Sequence, residues 1–204
     1  MPESAQEWYD RVQAGIARDG HRPATWQDWA TWPFADRLEA VRDLERPQAE
    51  PPRAGVGAED CFICAADRED DRDYLAWRDD HWMLGTPMEP VALPLVAFLM
   101  PRQHADLADL DAESAARMGP AMVAAEQAAT EVLDVPRIQV LRLGDGTTHL
   151  HWWLVARPTG MNQLRGSFLS LWDDVLPTRP REQLRADLRL VAHRLVELVG
   201  GEAL

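Results

Sequence analysis

The sequence predicts an α+β fold built on an antiparallel sheet. Three observations lead there. Residues 73–86 alternate in the manner of a β-hairpin, with Asp79-Asp80 at the turn. Residues 137–143 and 149–157 read as two further strands around Gly144-Asp145-Gly146-Thr147-Thr148, whose Asp-Gly pair suits a tight turn. In neither case does a crossover helix separate the strands, so the helical periods lie outside the hairpins and antiparallel pairing follows.

Each element has its own signal. Near the N-terminus Ser4 can cap a helix in which Trp8, Val12 and Ile16 recur every four residues before Gly20 ends it. Thr25 and Asp28 resemble a capping box, with Trp26, Trp29 and Trp32 at three-residue steps, and a short helical pattern follows on Leu38, Val41 and Leu44. Residues 47–59 are rich in Pro, Gly and Ala without an apolar period. We read 1–58 as a helical extension with a Pro-rich linker and 59–204 as the main domain. Leu93–Met100 is an apolar strand ended by Pro101. Asp111 caps a long amphipathic helix to about Leu133, in which Gly119-Pro120 marks either a kink or the true start. Leu184, Leu188, Val191, Leu195 and Leu198 give a C-terminal helix stopped by Gly200-Gly201.

Composition narrows the chemistry. The 204 residues are 46% hydrophobic and 27% charged, which suits a packed globular chain rather than a disordered one. The net charge of −13 makes a nucleic-acid backbone a poor partner. All 21 basic residues are arginine, so no lysine can form a Schiff base. The longest apolar run, Val91–Pro101, is well short of the ~20 residues of a membrane span. The acidic start MPESAQEW lacks the layout of a signal peptide, and the only cysteines, Cys61 and Cys64, do not make a disulfide framework. The expected setting is soluble and cytoplasmic.

Two features carry chemistry. His149-Leu150-His151 falls on the predicted strand, where period two places both imidazoles on one face, Cα atoms roughly 6.5 Å apart, and Trp153 continues that face. Two partly exposed surface histidines are the plainer alternative. Cys61-Phe62-Ile63-Cys64 can grip a zinc ion that requires two more nitrogen or sulfur ligands, and His104 and His149 are available. Buried thiols or a redox pair are the competing readings, although a redox CxxC calls for a βαβ setting that the pattern does not supply.

The order LPLVAFLMPRQHADLADLDAES, helix, strand, GDGTT and HLHWWLVARP, with Cys-x-x-Cys ahead of a hairpin, resembles the histidine triad superfamily over about residues 60–160. The resemblance implies a nucleotide- or phosphometabolite-directed hydrolase or nucleotidyl transferase in which His151 is the nucleophile. It also implies a structural zinc on Cys61, Cys64, His104 and His149, as in zinc-bearing members and the related galactose-1-phosphate uridylyltransferases. Two-fold homodimers are common in that superfamily and are the expectation it brings. The third triad position is Trp153, whose indole N–H cannot transfer a proton at neutral pH. The acidic slot ahead of the corner histidine falls on Met88, with Glu89 beside it. These two departures favour the alternative of a non-catalytic binding or regulatory module. Gly146, Thr147 and Thr148 are expected to present donors to a phosphate, or else to make a plain turn. Arg157 and Arg165 are read as anion clamps in an otherwise acidic chain, with surface solubility as the alternative. The expected ligand is a small phosphorylated molecule.

Overall fold

The computed structural model describes residues 5–20, 32, 33, 44 and 46–204. The chain divides into two compact units, Met1–Pro52 and Arg53–Leu204. In the first, helix α1 (Ala5–Asp19) ends as expected at Gly20, whose φ of +74° suits glycine and whose N–H donates to the Ile16 carbonyl at 2.8 Å. Ser4, the Thr25–Asp28 box, Trp26, Trp29, Leu38 and Val41 lie outside the described residues.

The second unit is an α+β domain around a six-stranded sheet. Its elements are α2 (Phe62–Arg68), β1 (Leu75–Arg78), β2 (Trp82–Gly85), β3 (Val96–Pro101), α3 (Ala112–Leu133), β4 (Arg137–Leu141), β5 (Trp152–Arg157), α4 (Leu169–Val175), α5 (Arg181–Val199) and β6 (Glu202–Ala203). Strand order is β4-β5-β3-β2-β1-β6, and every neighbouring pair is antiparallel. The β1–β2 hairpin turns at Asp79, whose carboxylate accepts the N–H groups of His81 (2.7 Å) and Trp82 (2.6 Å), an Asx turn.

Helices α3 and α5 share one core with the sheet. Ala121, Ala124, Ala125, Ala128 and Ala129 give α3 a small-residue face against Trp82, Leu84, Leu99 and Leu154, while Leu184, Leu188, Val191 and Leu195 fill in from α5. A second, smaller cluster joins α2 to the sheet: Cys61, Ile63, Cys64 and Ala66 pack with Tyr74, Leu75, Met83 and Met100. Burial against this cluster seats both cysteines, so the core fixes the candidate site directly.

Several boundaries move. Helix α3 begins at Ala112, capped by Asp111, which accepts the Ser114 N–H at 2.7 Å; Pro120 therefore lies inside the helix and does not start it. β3 starts at Val96, because the N–H groups of Ala92 and Leu93 go to the Asp173 carboxylate at 2.7 and 2.8 Å. Residues 142–151 form a long connection, not a tight turn, and β5 begins only at Trp152. The Thr148 N–H turns to the Ala54 carbonyl (3.0 Å) and that of Leu150 to Ala105 (2.8 Å), which takes both away from a ladder with β4. Helix α4 and strand β6 carry no signal in the sequence reading. β6 forms because Gly200-Gly201 reverse the chain onto β1: a Cβ at Gly201 would lie 2.5 Å from the Arg78 carbonyl oxygen, and the Trp77 indole donates to the Gly200 carbonyl at 2.9 Å.

Candidate active site

The two cysteines come from the start of α2. Cys61 is its N-cap residue and Cys64 lies in its first turn, a three-residue step that aims both sulfurs to one side. His104 follows the end of β3, where Pro101 stops the strand, and His149 belongs to the 142–151 connection. Four ligand atoms, one per residue, lie within 4.8 Å of one another. His149 Nδ1 is 3.3 Å from Cys61 Sγ and 3.4 Å from Cys64 Sγ, and His104 Nδ1 is 3.4 Å from Cys64 Sγ.

This arrangement fits a tetrahedral ion. Bonds of about 2.3 Å to sulfur and about 2.05 Å to nitrogen set sulfur and nitrogen ligands about 3.5 Å apart. His149 is 1% exposed, and its Nε2–H donates to the Pro101 carbonyl at 2.8 Å, so the neutral ring turns its Nδ1 lone pair toward the sulfurs. Burial, helped by His104 and His151, holds His149 down at about 4, against the bond to Pro101, and keeps it uncharged near neutrality. Burial and the neighbouring Cys61 push the Cys64 thiol up to about 12. The Cys64 thiol resists ionisation here without a countercharge, and a divalent cation supplies one. The Cys₂His₂ set is the donor chemistry of a structural zinc site.

His151 stands two residues on and does not join the cluster. It precedes β5 and is not on a strand, which corrects the strict period-two picture. Its Nδ1–H donates to the His149 carbonyl at 3.0 Å, so the neutral ring carries its lone pair on Nε2. Phe98 packs edge-on to the ring, centroids 5.6 Å apart, and Trp153 lies 6.2 Å from His151 and 4.7 Å from Phe98. His151 lines an open cleft of about 450 Å³ with Phe62, Tyr74, Met88, Glu89, Phe98 and Thr147 among its walls. Among the described residues no arginine lines it.

Of the other expected binding residues, Thr147 reaches the cleft, but the turn is already engaged. The Gly146 carbonyl accepts the Ala54 N–H at 2.9 Å; the Thr147 hydroxyl donates to the Ala54 carbonyl at 3.2 Å, and that of Thr148 to the carbonyls of Ala54 and Gly55. The segment holding them was read from sequence as linker. Arg53 extends the tie, donating to Asp106 at 2.6 Å and to the Gly144 carbonyl at 3.1 Å, and Arg142 pairs with the same carboxylate. Burial works to raise the Asp106 carboxyl, but hydrogen bonds from Arg53, the Leu107 N–H and Arg142 outweigh it and hold it down at about 2. Ala54 carries no signal that sequence reasoning could have used; Arg53 and Asp106 offered only their opposite charges.

Arg157 and Arg165 are not brought to His151. They line a separate cavity with Arg137, because Arg157 ends β5 six residues beyond His151, about 20 Å of extended chain. Neither lines the cleft beside His151.

No protein-family model matches the chain, and no curated protein does. Solved structures do. A zinc-bound histidine triad family protein from Mycobacterium smegmatis superposes with a TM-score of 0.52 at 22% identity, covering 70% of this chain and 97% of that one. A hypothetical histidine triad nucleotide-binding protein from Sulfolobus tokodaii superposes with a TM-score of 0.53 at 15% identity, covering 71% and 99%. This is the histidine triad fold. At these identities the likeness is one of fold, and the chemistry rests on the side chains themselves. Among the described residues no helix is long and apolar enough to cross a membrane.

Proposed function

We propose that this chain is a histidine triad-fold hydrolase or nucleotidyl transferase acting on a phosphate ester or anhydride, with His151 as nucleophile. The observation that carries the reading is the His151 ring itself: Nδ1 is tied to the His149 carbonyl, and the ring lines an open cleft. Cys61, Cys64, His104 and His149 would hold a zinc ion, which supplies rigidity: it anchors the carbonyl that orients His151. His104 and His149, as ligands, are not acids or bases in the reaction.

In the proposed reaction His151 Nε2 attacks phosphorus. A P–N bond forms, the bond from phosphorus to the leaving group breaks, and the leaving group departs with the electron pair. Water or another acceptor then breaks the P–N bond and regenerates the imidazole. The Nδ1–H bond to His149 stabilises the charge that the ring gains in the adduct. Trp153 beside His151 cannot protonate a leaving group, so the substrate is one whose leaving group is stable as an anion, such as a phosphate or pyrophosphate. Glu89 supplies a carboxylate to accept hydroxyls of the group attached to phosphorus, which supports a sugar-bearing phosphoanhydride, nucleotides included.

Incubation with a dinucleoside polyphosphate, followed by denaturation in alkaline buffer, which preserves a P–N bond, and mass spectrometry under non-acidic conditions, tests this. The expected result is a nucleotidyl adduct on His151 that is absent from His151→Gly. Tight binding of the same compound with no adduct and no turnover would replace the enzyme with the binding module that the indole at 153 favours.

A further inference from the structure

Arg157, the last residue of β5, stands directly across from Arg137, the first of β4. Opposed residues of an antiparallel pair carry their side chains on the same face, with Cβ atoms about 5 Å apart, and like charges so placed destabilise a sheet. Arg165 lines the same cavity, of about 560 Å³, with Gln139 and Gly166.

None of the three guanidinium groups has a carboxylate partner among the described residues. Arg157, only 9% exposed, donates to the carbonyls of Pro158 (3.5 Å) and Met161 (3.2 Å). Arg137 donates to the Pro136 carbonyl at 3.0 Å, and Arg165 to the Asn162 amide oxygen at 2.7 Å. All these acceptors are neutral, and each fork keeps donors to spare. Elsewhere Arg78, Arg102, Arg179, Arg185 and Arg194 all pair with Asp or Glu. In a chain of net charge −13, three unpaired cations around one cavity, one of them nine-tenths buried, form a concentration of positive charge with nothing to balance it.

We propose that this cavity binds a multiply charged oxyanion of the phosphate class, either free pyrophosphate or the phosphates of a phosphorylated metabolite. Forked guanidinium donors match phosphate oxygens in pairs, and a multivalent anion relieves the Arg137–Arg157 opposition that the sheet otherwise carries. The site is independent of His151 and of what His151 does.

Calorimetric titration with inorganic pyrophosphate at constant ionic strength tests it, using wild type, Arg137→Gln/Arg165→Gln and His151→Gly. The expected result is one pyrophosphate bound by wild type and His151→Gly alike, with affinity lower by about tenfold or more in the arginine double variant. A parallel melting series expects Arg137→Gln to melt higher than wild type without anion, and pyrophosphate to raise the wild-type midpoint more than that of the variant. Equal affinity in all three proteins, loss in His151→Gly alone, or no binding at millimolar pyrophosphate overturns the proposal. Tighter binding of ADP than of pyrophosphate, lost in the double variant, identifies a phosphorylated metabolite as the occupant. Binding of citrate without pyrophosphate rejects the phosphate class.

Discussion

The two ends of β5 are opposites. Before its first residue the chain is tied down on every side: His149 to Pro101 and to two sulfurs, His151 to the His149 carbonyl, Thr147 and Thr148 to the 54–55 backbone. At its last, Arg157 faces Arg137, and among the described residues both donate only to neutral carbonyls. One end is rigid because its donors and acceptors are matched within the protein; the other has charge left over. A matched cluster positions a reacting group, whereas an unmatched one awaits a ligand.

Breaking the matched end at its centre has the largest effect. Cys64→Ala removes a ligand from a buried four-residue cluster and should cost about 4 kcal/mol or more, lowering the melting midpoint by about 10 °C and abolishing near-stoichiometric zinc. Emission analysis of metal and calorimetry check it; a wild type purified metal-free with the same midpoint removes the cluster's stabilising role.

A sharper comparison comes from Trp153→His. Restoring a proton donor beside His151 should raise turnover about 10²-fold, or about 2.7 kcal/mol of barrier, on substrates with an amine or alcohol leaving group, and leave anhydrides nearly unchanged. Equal gains on both classes, measured by steady-state kinetics, would show that Trp153 acts through shape alone.

Asp106→Ala should cost about 2 kcal/mol, because it strips Arg53, Arg142 and the Leu107 N–H of their common acceptor. The same contact predicts a pH dependence. The Asp106 carboxyl is held at about 2, below an ordinary value of about 3.9, so its stabilisation is complete above the ordinary value and is lost as pH falls from there through about 2. Wild type and the alanine variant should therefore converge in melting midpoint in strongly acidic buffer.

Thr148→Val is the mildest change, about 1 kcal/mol, since it removes one hydroxyl from the 54–55 carbonyls. Faster amide exchange at Ala54 with an unchanged melting midpoint would place the tie outside the cooperative core.

The matched end was largely legible in the sequence. Cys-x-x-Cys and His-x-His declare their chemistry by residue type and spacing, and Asp79, Asp111 and Gly20 signal turns and caps through local hydrogen bonding alone. The long connection 142–151 was not legible, because Asp-Gly suits a tight turn and only the distant carbonyls of Ala54 and Ala105 divert the chain. Nor were β6, whose two residues become a strand only where β1 offers an edge, and Arg53, whose partner Asp106 lies 53 positions away.

By itself, then, the sequence determined what is local: the helical and strand periods, the stops at glycine and proline, and four side chains able to share one ion. Tertiary structure alone decided which of the polar residues meet. Arg157 and Arg165 read as anion clamps from their charge alone, and only the fold set them beside Arg137, since a charge is visible in a sequence but its direction and its neighbours are not. Those depend on contacts between segments far apart in the chain, and the burial of the sheet between its helices fixes them.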